Sequence, residues 1–371
     1  MKYALMQSEL RKALQVVATV VPSKSTLPIL ETVLMDVTRD GRLTLTATDL
    51  DISVRTRAKV KANEAGRVAV AARRLFDVVR ELPEQEIEVT GDAAQIELTC
   101  ARGRYRFVGA AVDDFPELPD IADEKHVGLD PGMLETMIRR TLYAVSTDET
   151  RPELTGVFLE IREGSLRMVA TNGHRLSRTA VRRSFKQERD MLLPPKALNQ
   201  LLRLMPGQEA EVEVTGTKSY ARFRIGDTDL YSRLLEGPFP DYERVIPKTS
   251  PLKATIKRED IIASLRRILV LSDSQTRQVK MVFEPQRLQV QAEYQGAGEA
   301  SEEIPVKYDG ESIAIGFNGG YLLEMLKTFG DEDVVMSFES AVSAGVFRPA
   351  TDREDEELLC LVMPLRLPEG S

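Results

Sequence analysis

The sequence predicts an α+β protein built from three tandem copies of one domain, each with two helices packed on antiparallel sheet. The same order of strand, helix and paired strands occurs three times, at a period of about 120 residues in a chain of 371. Residues 46–49 resemble residues 169–172 at an offset of 123 positions. Because a solenoid repeat runs to roughly 50 residues, this period indicates whole duplicated domains.

The first copy opens with a strand at 1–6 and a helix that begins at Ser8. Apolar residues recur in this helix at helical spacing, at Leu10, Ala13, Leu14 and Val17. Strands at 30–37 and 43–47 follow, joined by a turn at Asp40-Gly41. The pattern predicts one helix lying against a strand pair.

The other two copies repeat this order. In the second, Asp130 is the expected helix N-cap and Pro131 the first helical residue, before strands at 156–161 and 166–170. The third has a strand at 252–256 and a helix, then strands at 279–283 and 288–292. The apolar faces of these helices are Leu134, Met137, Ile138 and Leu142, and Ile261, Leu265, Ile268 and Leu269.

The second half of each copy passes from a strand end into a helix, and a strand pair follows. The segments in which a strand end passes into a helix are 70–82, 193–205 and 315–329. The strand pairs that follow them are 87–89 with 95–100, 210–214 with 221–225, and 334–338 with 345–348. Pro-rich segments at 114–119 and 238–242 close the first two copies. We therefore predict domains at 1–124, 125–251 and 252–371.

The chain is acidic overall, with 50 Lys and Arg against 58 Asp and Glu and a formal net charge of -8. Any contact with nucleic acid must therefore use a local basic surface. Basic residues do concentrate on or beside the six predicted helices: Arg11, Lys12, Arg73, Arg74, Arg80, Arg139, Arg140, Lys196, Arg203, Lys257, Arg258, Arg266, Arg267 and Lys327. Such faces would follow a polyanion backbone without reading base sequence.

Cys100 and Cys360 are the only cysteines and lie in separate strand-like segments. This predicts two buried thiols in a reducing compartment. The N-terminal segment lacks a signal-peptide core, and no apolar run approaches the roughly 20 residues that span a bilayer. We expect a soluble, cytoplasmic protein.

Patterns typical of enzymes are scarce. His126 and His174 are far apart and no Cys or His cluster has metal-ligand spacing, so neither a metal nor another cofactor is expected. The Gly-rich segment 316–320 lacks the Lys-Ser/Thr pair of a phosphate-binding loop. Asp113-Asp114 precedes a Pro-rich segment and more simply caps a turn.

The segment 168–176 allows two interpretations. Val169 and Ala170 close a strand, Asn172-Gly173 favours a turn, and His174-Arg175 lie where the chain resumes. A catalyst would use His174 as a general base, whereas a docking surface would use the same turn to frame a pocket. The first copy has no histidine at the equivalent position, which favours docking.

Five segments occur in order along the chain: Thr26-Leu27-Pro28-Ile29-Leu30, Ala170-Thr171-Asn172-Gly173-His174-Arg175-Leu176, Phe239-Pro240-Asp241-Tyr242-Glu243-Arg244-Val245-Ile246-Pro247, Ile315-Gly316-Phe317-Asn318, and Val362-Met363-Pro364-Leu365-Arg366-Leu367. Together they resemble the β sliding clamp family of bacterial DNA polymerase III over the entire chain. The resemblance implies a non-enzymatic processivity factor made of three DNA-clamp domains. Two subunits would associate head to tail as a homodimer and close a six-domain ring around duplex DNA.

The resemblance also implies a hydrophobic pocket for short linear motifs of DNA polymerase III, the clamp loader, other polymerases and repair proteins. No membrane partner is implied. The matching pocket positions are Leu154, Thr171, Gly173, His174, Arg175, Leu176, Pro240, Arg244, Val245, Asn318, Tyr321, Val342, Met363, Pro364, Leu365 and Arg366. Apolar walls with a flexible Met and a few polar groups are typical of a groove that accepts many peptides.

Two further surfaces follow from the resemblance and the charge pattern. Duplex DNA would face Lys24, Arg73, Arg139, Arg140, Lys196, Arg203, Arg266 and Arg267. The dimer interface would join Arg104, Arg106 and Phe107, near Arg102, to Val270, Leu271, Glu299, Glu302 and Glu303. The basic and acidic clusters lie at opposite ends of the chain, as head-to-tail closure requires.

Three positions depart from the family pattern. Asn172 stands where Asp is common, Pro152-Glu153 replaces aromatic residues found near DNA in some members, and 368–371 extends beyond the usual Arg-Leu ending. We assign no DNA contact to Pro152-Glu153. Two other functions stay open on the sequence alone: a hydrolase that uses His174 with a nearby carboxylate, and a monomeric peptide-binding scaffold that does not encircle DNA.

Overall fold

The computed structural model describes residues 1–121, 125–185, 187–294, 296, 298–351 and 353–367. The chain divides into two compact units. Unit 1 comprises Met1–Glu135 with Lys196–Leu234, and unit 2 comprises Thr136–Pro195 with Leu235–Ser371. The C-terminal extension 368–371 lies outside the described residues.

The first repeat contains nine strands and two helices in the described residues. They are β1 (Lys2–Met6), α1 (Gln7–Ala18), β2 (Thr32–Val37), β3 (Arg42–Thr48), β4 (Ile52–Lys59), β5 (Lys61–Glu64), β6 (Gly66–Ala71), α2 (Ala72–Glu81), β7 (Glu86–Gly91), β8 (Gln95–Cys100) and β9 (Gly103–Ala110). The predicted helix and strand pair are confirmed. Residues 30 and 31, predicted to begin the strand 30–37, belong instead to the 3-10 helix Pro28–Glu31, which has Pro28 at its first position.

The second repeat follows the same order with eight strands in its described part. They are β10 (Val127–Leu129), α3 (Pro131–Thr141), β11 (Val157–Arg162), β12 (Ser165–Thr171), β13 (Arg175–Arg182), β14 (Arg189–Leu193), α4 (Pro195–Leu204), β15 (Val212–Gly216), β16 (Tyr220–Ile225) and β17 (Thr228–Arg233). The Asp130 carboxylate accepts from Met133 N at 2.7 Å, which confirms the predicted N-cap.

The third repeat completes the set. Its described elements are β18 (Leu252–Lys257), α5 (Arg258–Ile268), β19 (Gln278–Glu284), β20 (Arg287–Tyr294), β21 (Gly298–Lys307), β22 (Ile313–Asn318), α6 (Gly319–Leu326), β23 (Asp333–Phe338), β24 (Gly345–Pro349) and β25 (Glu356–Val362). Three copies of an α+β domain, each with two helices and antiparallel strands, confirm the predicted fold class.

Each unit has one long antiparallel sheet that contains strands of two repeats. In unit 1, β17 of the second repeat pairs with β4 of the first, from Thr228 opposite Thr56 to Ser232 opposite Ile52. In unit 2, β25 of the third repeat pairs with β13 of the second, from Arg175 opposite Val362 to Val181 opposite Glu356. Strands that would otherwise be open sheet edges are paired with the next repeat.

The compact units therefore do not end where the repeats end. The second repeat contributes β10, β15, β16 and β17 to the sheet of unit 1, and β11 to β14 to the sheet of unit 2. The strand pairings across the repeat joins are the physical reason for this division. The predicted domain boundaries at 124 and 251 remain predictions of where one sequence repeat passes into the next.

The helices cover the sheets with the apolar faces that the sequence predicts. Leu10, Leu14 and Val17 of α1 and Leu75 and Val79 of α2 are at most 1 % exposed. In unit 2 the buried faces of α5 and α6 share one core with β18 to β23. Both cysteines are buried and form no disulfide, as expected.

Two turns at equivalent positions in the first and second repeats have the same hydrogen bonds. Thr48 Oγ1 accepts from Leu50 N at 3.1 Å, and Asp49 Oδ1 accepts from Ile52 N at 3.0 Å. The equivalent bonds in the second repeat join Thr171 to Gly173 at 3.1 Å and Asn172 to Arg175 at 3.0 Å. The turn belongs to the repeated fold, and only its side chains differ.

Leu50 adopts the backbone conformation that Gly173 adopts in the other turn, with φ of 79° against 88°. The left-handed region costs a non-glycine residue about 1 to 2 kcal/mol, whereas glycine loses about 0.5 to 1 kcal/mol through unfolded-state entropy. We therefore expect Leu50→Gly to raise the free energy of unfolding by up to about 1 kcal/mol, as measured by urea denaturation.

Leu27→Gly is the matched control for this change. Leu27 is exposed to a similar extent, 49 % against 53 % for Leu50, but has an ordinary φ of -109°. It should lose about 0.5 to 1 kcal/mol. Equal losses in both variants would show that Leu50 is not strained.

Candidate partner-docking site

The turn between β12 and β13 is held rigid by its own side chains. Thr171 Oγ1 donates to Arg175 O at 2.7 Å and accepts from Gly173 N. Asn172 Oδ1 accepts from His174 N and Arg175 N, both at 3.0 Å. The side-chain amide oxygen of Asn accepts these bonds as an Asp carboxylate oxygen would. The presence of Asn172 where the family commonly has Asp therefore does not alter the turn.

The C-terminal segment runs beside this turn and then crosses to β22. Met363 N donates to His174 O at 2.8 Å, and Leu365 N donates to Gly316 O at 2.8 Å. Gln278 Nε2 donates to Arg366 O at 2.9 Å. Residues from distant parts of the sequence therefore meet in unit 2, as the predicted pocket requires.

An apolar cluster lies beneath the turn and the C-terminal strand. It contains Val169, Leu176, Tyr242, Ala344, Val346, Leu359 and Leu361. Phe158 and Phe239 pack against it with their rings stacked, 5.0 Å between centroids. Leu154 and Leu176, both predicted pocket residues, are buried.

Large apolar side chains remain exposed around this cluster. Val245, Val342 and Met363 are among the few large hydrophobic residues that the described chain leaves open to solvent. Pro240, Arg244 and Val245 belong to the segment anchored by buried Tyr242, and Arg244 pairs with Asp241 at 2.7 Å. An exposed apolar patch rimmed by polar groups is typical of an interaction surface.

Arg175, predicted to belong to the pocket, makes its contacts within the protein. Its Nη1 pairs with Glu324 at 2.5 Å, and its Nη2 donates to the Tyr143 carbonyl oxygen. The guanidinium lies over the rings of Tyr143 and Tyr321, at 5.2 and 4.3 Å from the centroids. Tyr143 and Glu324 were not predicted as site residues.

His174 lacks the surroundings of a general base. Its side chain is exposed, and no carboxylate among the described residues forms a hydrogen bond or ion pair with the imidazole. A general base needs a partner that orients it and sets its tautomer. The geometry therefore gives no support to the hydrolase alternative.

The described residues contain no group of three or more His, Cys, Asp or Glu side chains able to hold a metal ion. Among the same residues, no helix is both long and apolar enough to cross a membrane.

Strand β9 in unit 1 has an open edge. It pairs with β8 along 103–108 but with β6 only at Gly109 and Ala110. The other edge of 103–108 therefore has no strand partner in the described part of the chain. Arg104 and Arg106 are exposed on this strand and Phe107 is half-buried.

Strand β21 in unit 2 has a similar open edge. It pairs with β20 along 298–305 but with β18 only at Val306 and Lys307. Glu302 forms an ion pair with Arg267, and Glu303 forms one with Arg287. The Glu299 side chain has no ion-pair partner among the described residues. Val270, also predicted at the interface, is 79 % exposed.

Most of the basic residues predicted to face DNA are exposed: Lys24, Arg73, Arg139, Lys196, Arg203, Arg266 and Arg267. Lys196 lies 2.6 Å from Asp49, and Arg267 lies 2.6 Å from Glu302. Burial lowers the pKa of Lys196, but hydrogen bonding and attraction by Asp49 and Asp51 outweigh it and raise the pKa overall.

Arg140 does not fit the prediction. It is only 8 % exposed, and its Nη1 pairs with Glu356 at 3.3 Å at the start of β25. The last turn of α3 thus directs this residue into the protein. Its neighbour Arg139 is the exposed one.

Comparison with known protein families matches the chain along nearly its whole length. The N-terminal domain of the DNA polymerase III beta subunit matches residues 1–119. Its central domain matches residues 128–241, and its C-terminal domain matches residues 243–366. The three matches follow one another in the order of the three repeats.

Individual relatives agree with this assignment. A beta sliding clamp of Chlamydia muridarum is 32 % identical over 370 residues, covering 99 % of each chain. A crystal structure of the Pseudomonas aeruginosa sliding clamp with ligand superposes with a TM-score of 0.94 at 31 % identity, covering 99 % of this chain and 100 % of that one. A crystal structure of the Pseudomonas aeruginosa clamp bound to griselimycin superposes with a TM-score of 0.92 at 30 % identity, covering 99 % of this chain and 100 % of that one. The chain therefore belongs to the bacterial DNA polymerase III beta-subunit family, the β sliding clamps.

Proposed function

We propose that two copies of this chain associate head to tail and close a ring around duplex DNA, where the ring tethers the replicative polymerase. The protein acts as a non-enzymatic processivity factor. Because retention is topological, weak contacts with DNA suffice and the ring can slide. Its place of action is the bacterial cytoplasm, where the chromosome is replicated.

The observation that carries the ring is the pair of open strand edges. The β9 edge bears Arg104 and Arg106, and the β21 edge bears Glu299. Pairing β9 of one subunit with β21 of the next would extend the sheet across the interface and satisfy both edges. Different surfaces on the two partners make a heterologous contact, which closes after two subunits if the rotation permits.

The docking pocket is proposed to hold linear motifs of DNA polymerase III, the clamp loader, other polymerases and repair proteins. Exposed Met363 and Val342 offer apolar contact beside the polar turn 171–175. Methionine adapts its shape to different side chains, which suits one pocket shared by many partners. The remaining predicted pocket members, including Asn318, Pro364, Leu365 and Arg366, belong to the same proposal.

Retention on DNA of different topology tests the ring. The protein is loaded onto nicked circular DNA with a bacterial clamp loader and followed by gel filtration. We expect it to elute with the circle and to be released when the circle is linearised. Retention that is unaffected by linearisation, or no retention at all, would contradict the ring, and no retention would favour a monomeric peptide-binding scaffold that does not encircle DNA.

Arg266 is expected to contribute to the contact with phosphates. It is exposed on α5 and has no ion pair among the described residues. The affinity for a short duplex falls as salt rises, and Arg266→Gln should make this dependence shallower. The slope of log affinity against log salt should become less negative by about 0.9, the value for one lost phosphate contact.

Arg39→Gln is the matched control, because Arg39 is also exposed without a described partner but lies in the β2–β3 turn. Its salt slope should equal that of the wild type. If Arg266→Gln leaves the slope unchanged as well, Arg266 does not face DNA.

Met363 is expected to anchor partner peptides. Met363→Ala should weaken binding of an apolar linear-motif peptide from the replicative polymerase by about 1 kcal/mol or more, roughly fivefold. Fluorescence anisotropy with a labelled peptide measures this change. Met6→Ala removes a methionine of equal exposure, 40 % against 41 %, and should bind like the wild type. Equal affinity for both variants would remove Met363 from the pocket.

A further inference from the structure

We propose that Glu324 and Tyr143 are positioning residues of the docking pocket, which hold Arg175 and, through it, keep the Tyr321 wall against the turn 171–175. This inference rests on the proposed function of the pocket. In this proposal Arg175 stabilises the pocket through contacts within the protein. Glu324 and Tyr143 lie outside the set of residues predicted to line the pocket.

The Arg175 guanidinium is held by contacts within the protein. A guanidinium has five N–H donors and two flat faces. Nη1 is used by Glu324 and Nη2 by the Tyr143 carbonyl, while the rings of Tyr143 and Tyr321 lie over the group. The side chain is only 10 % exposed. Nε is buried and has no hydrogen-bond partner among the described residues, so burial leaves little of the guanidinium surface for a peptide.

The contacts of Arg175 connect the second repeat to the third. Arg175 begins β13 in the second repeat, and Tyr143 lies in the 3-10 helix Leu142–Ala144 of the same repeat. Tyr321 and Glu324 lie on α6 in the third repeat. Arg175 therefore joins the two repeats that supply the opposite walls of the pocket, and all four residues belong to unit 2.

Tyr321 is held in place by contacts with Asn172, Asn318 and Arg175. Its hydroxyl accepts from Asn172 Nδ2 at 3.4 Å, and its backbone N donates to Asn318 Oδ1 at 3.1 Å. Arg175 stacks on its ring at 4.3 Å. The turn also holds Met363 through the His174 carbonyl. One cluster thus sets the distance between Tyr321 and Met363.

Glu324 is the contact to test because its carboxylate is half exposed and its removal spares the core. Glu324→Ala frees Arg175 Nη1 and leaves the guanidinium stacked but less oriented. We expect peptide affinity to fall about threefold to tenfold, as for loss of a cation–π or ion-pair contact in a partly buried site. Glu332→Ala removes the partner of Lys257 from another surface ion pair and should bind as the wild type does.

A double-mutant cycle tests whether Glu324 acts through Arg175. Peptide affinity is measured for wild type, Glu324→Ala, Arg175→Ala and the double variant. If Glu324 acts through Arg175, the double variant binds no more weakly than Arg175→Ala alone. Effects that multiply, or a Glu324→Ala variant that binds like wild type, would overturn the proposal that Glu324 acts through Arg175.

Tyr143 provides the conservative rescue. Tyr143→Phe keeps the ring under Arg175 and the backbone carbonyl, and should retain wild-type affinity. Tyr143→Leu loses the ring face and should match Glu324→Ala. Equal affinity of Phe and Leu variants would contradict a role for the ring. Thermal melts confirm that each variant is folded. A wild-type protein that binds no motif peptide would sink the proposed pocket itself, a result distinct from all of these.

Discussion

Val270→Asp is expected to turn the dimer into a monomer and to abolish retention on circular DNA. Val270 is a large apolar residue that is 79 % exposed, and it lies in the 3-10 helix Leu269–Leu271, which contacts β21. An aspartate buried there without a partner would cost about 3 kcal/mol or more of association free energy. Sedimentation velocity at micromolar concentration measures the change.

Val342→Asp is the matched control, since Val342 is 78 % exposed but lies at the proposed pocket. It should remain dimeric in sedimentation velocity and lose affinity for motif peptides. A Val270→Asp protein that sediments with the wild type would place the dimer contact elsewhere. The two variants together separate ring closure from partner docking.

Asp229→Ala is expected to lower the free energy of unfolding by about 2 to 3 kcal/mol. The carboxylate of Asp229 is fully buried between Arg57 Nη2 at 2.7 Å and Arg224 Nε at 2.8 Å, where β17 pairs with β4. Removing it leaves two cations facing each other across the join of the first two repeats. Partial exposure of both arginines keeps the loss below that of a fully buried pair.

Asp241→Ala provides the comparison for this second effect. Asp241 also pairs with an arginine at 2.7 Å, but both side chains are exposed. Its loss should cost less than about 1 kcal/mol in urea denaturation. If Asp229→Ala lowered the free energy of unfolding equally little, the ion pairs of Asp229 with Arg57 and Arg224 would not stabilise the join between the first two repeats.

The repeated architecture could be predicted because apolar periodicity marks it three times. The face of α1 at Leu10, Leu14 and Val17 is buried as its spacing indicates. The Asp130 cap also forms as predicted. Elements of this kind depend on local spacing and on one buried side, both of which a single sequence displays.

The strands that join the repeats could not be predicted in the same way. β4, β13 and β17 are rich in Ser, Thr and Arg, so apolar alternation is weak in them. Their polar residues are nevertheless buried, as Ser53, Ser177 and Asp229 show. Partners for these groups come from distant segments, and sequence spacing does not reveal them.

The pocket illustrates the same limit at the level of single residues. The turn 171–175 was predicted from Asn172-Gly173, and the structure brings it beside Met363. Glu324 was missed because a glutamate on a helix usually faces solvent, and Arg140 was misplaced because its neighbour Arg139 takes the exposed position. Both errors concern which partner a charged side chain finds after folding.

Low-resolution imaging of the purified particle tests the central claim most directly. The account predicts a closed ring of two subunits with a central hole wide enough for duplex DNA. Val342→Asp should give the same ring, and Val270→Asp should give single open subunits. Wild-type particles without a hole, or with one chain each at micromolar concentration, would contradict the proposal that this protein encircles DNA.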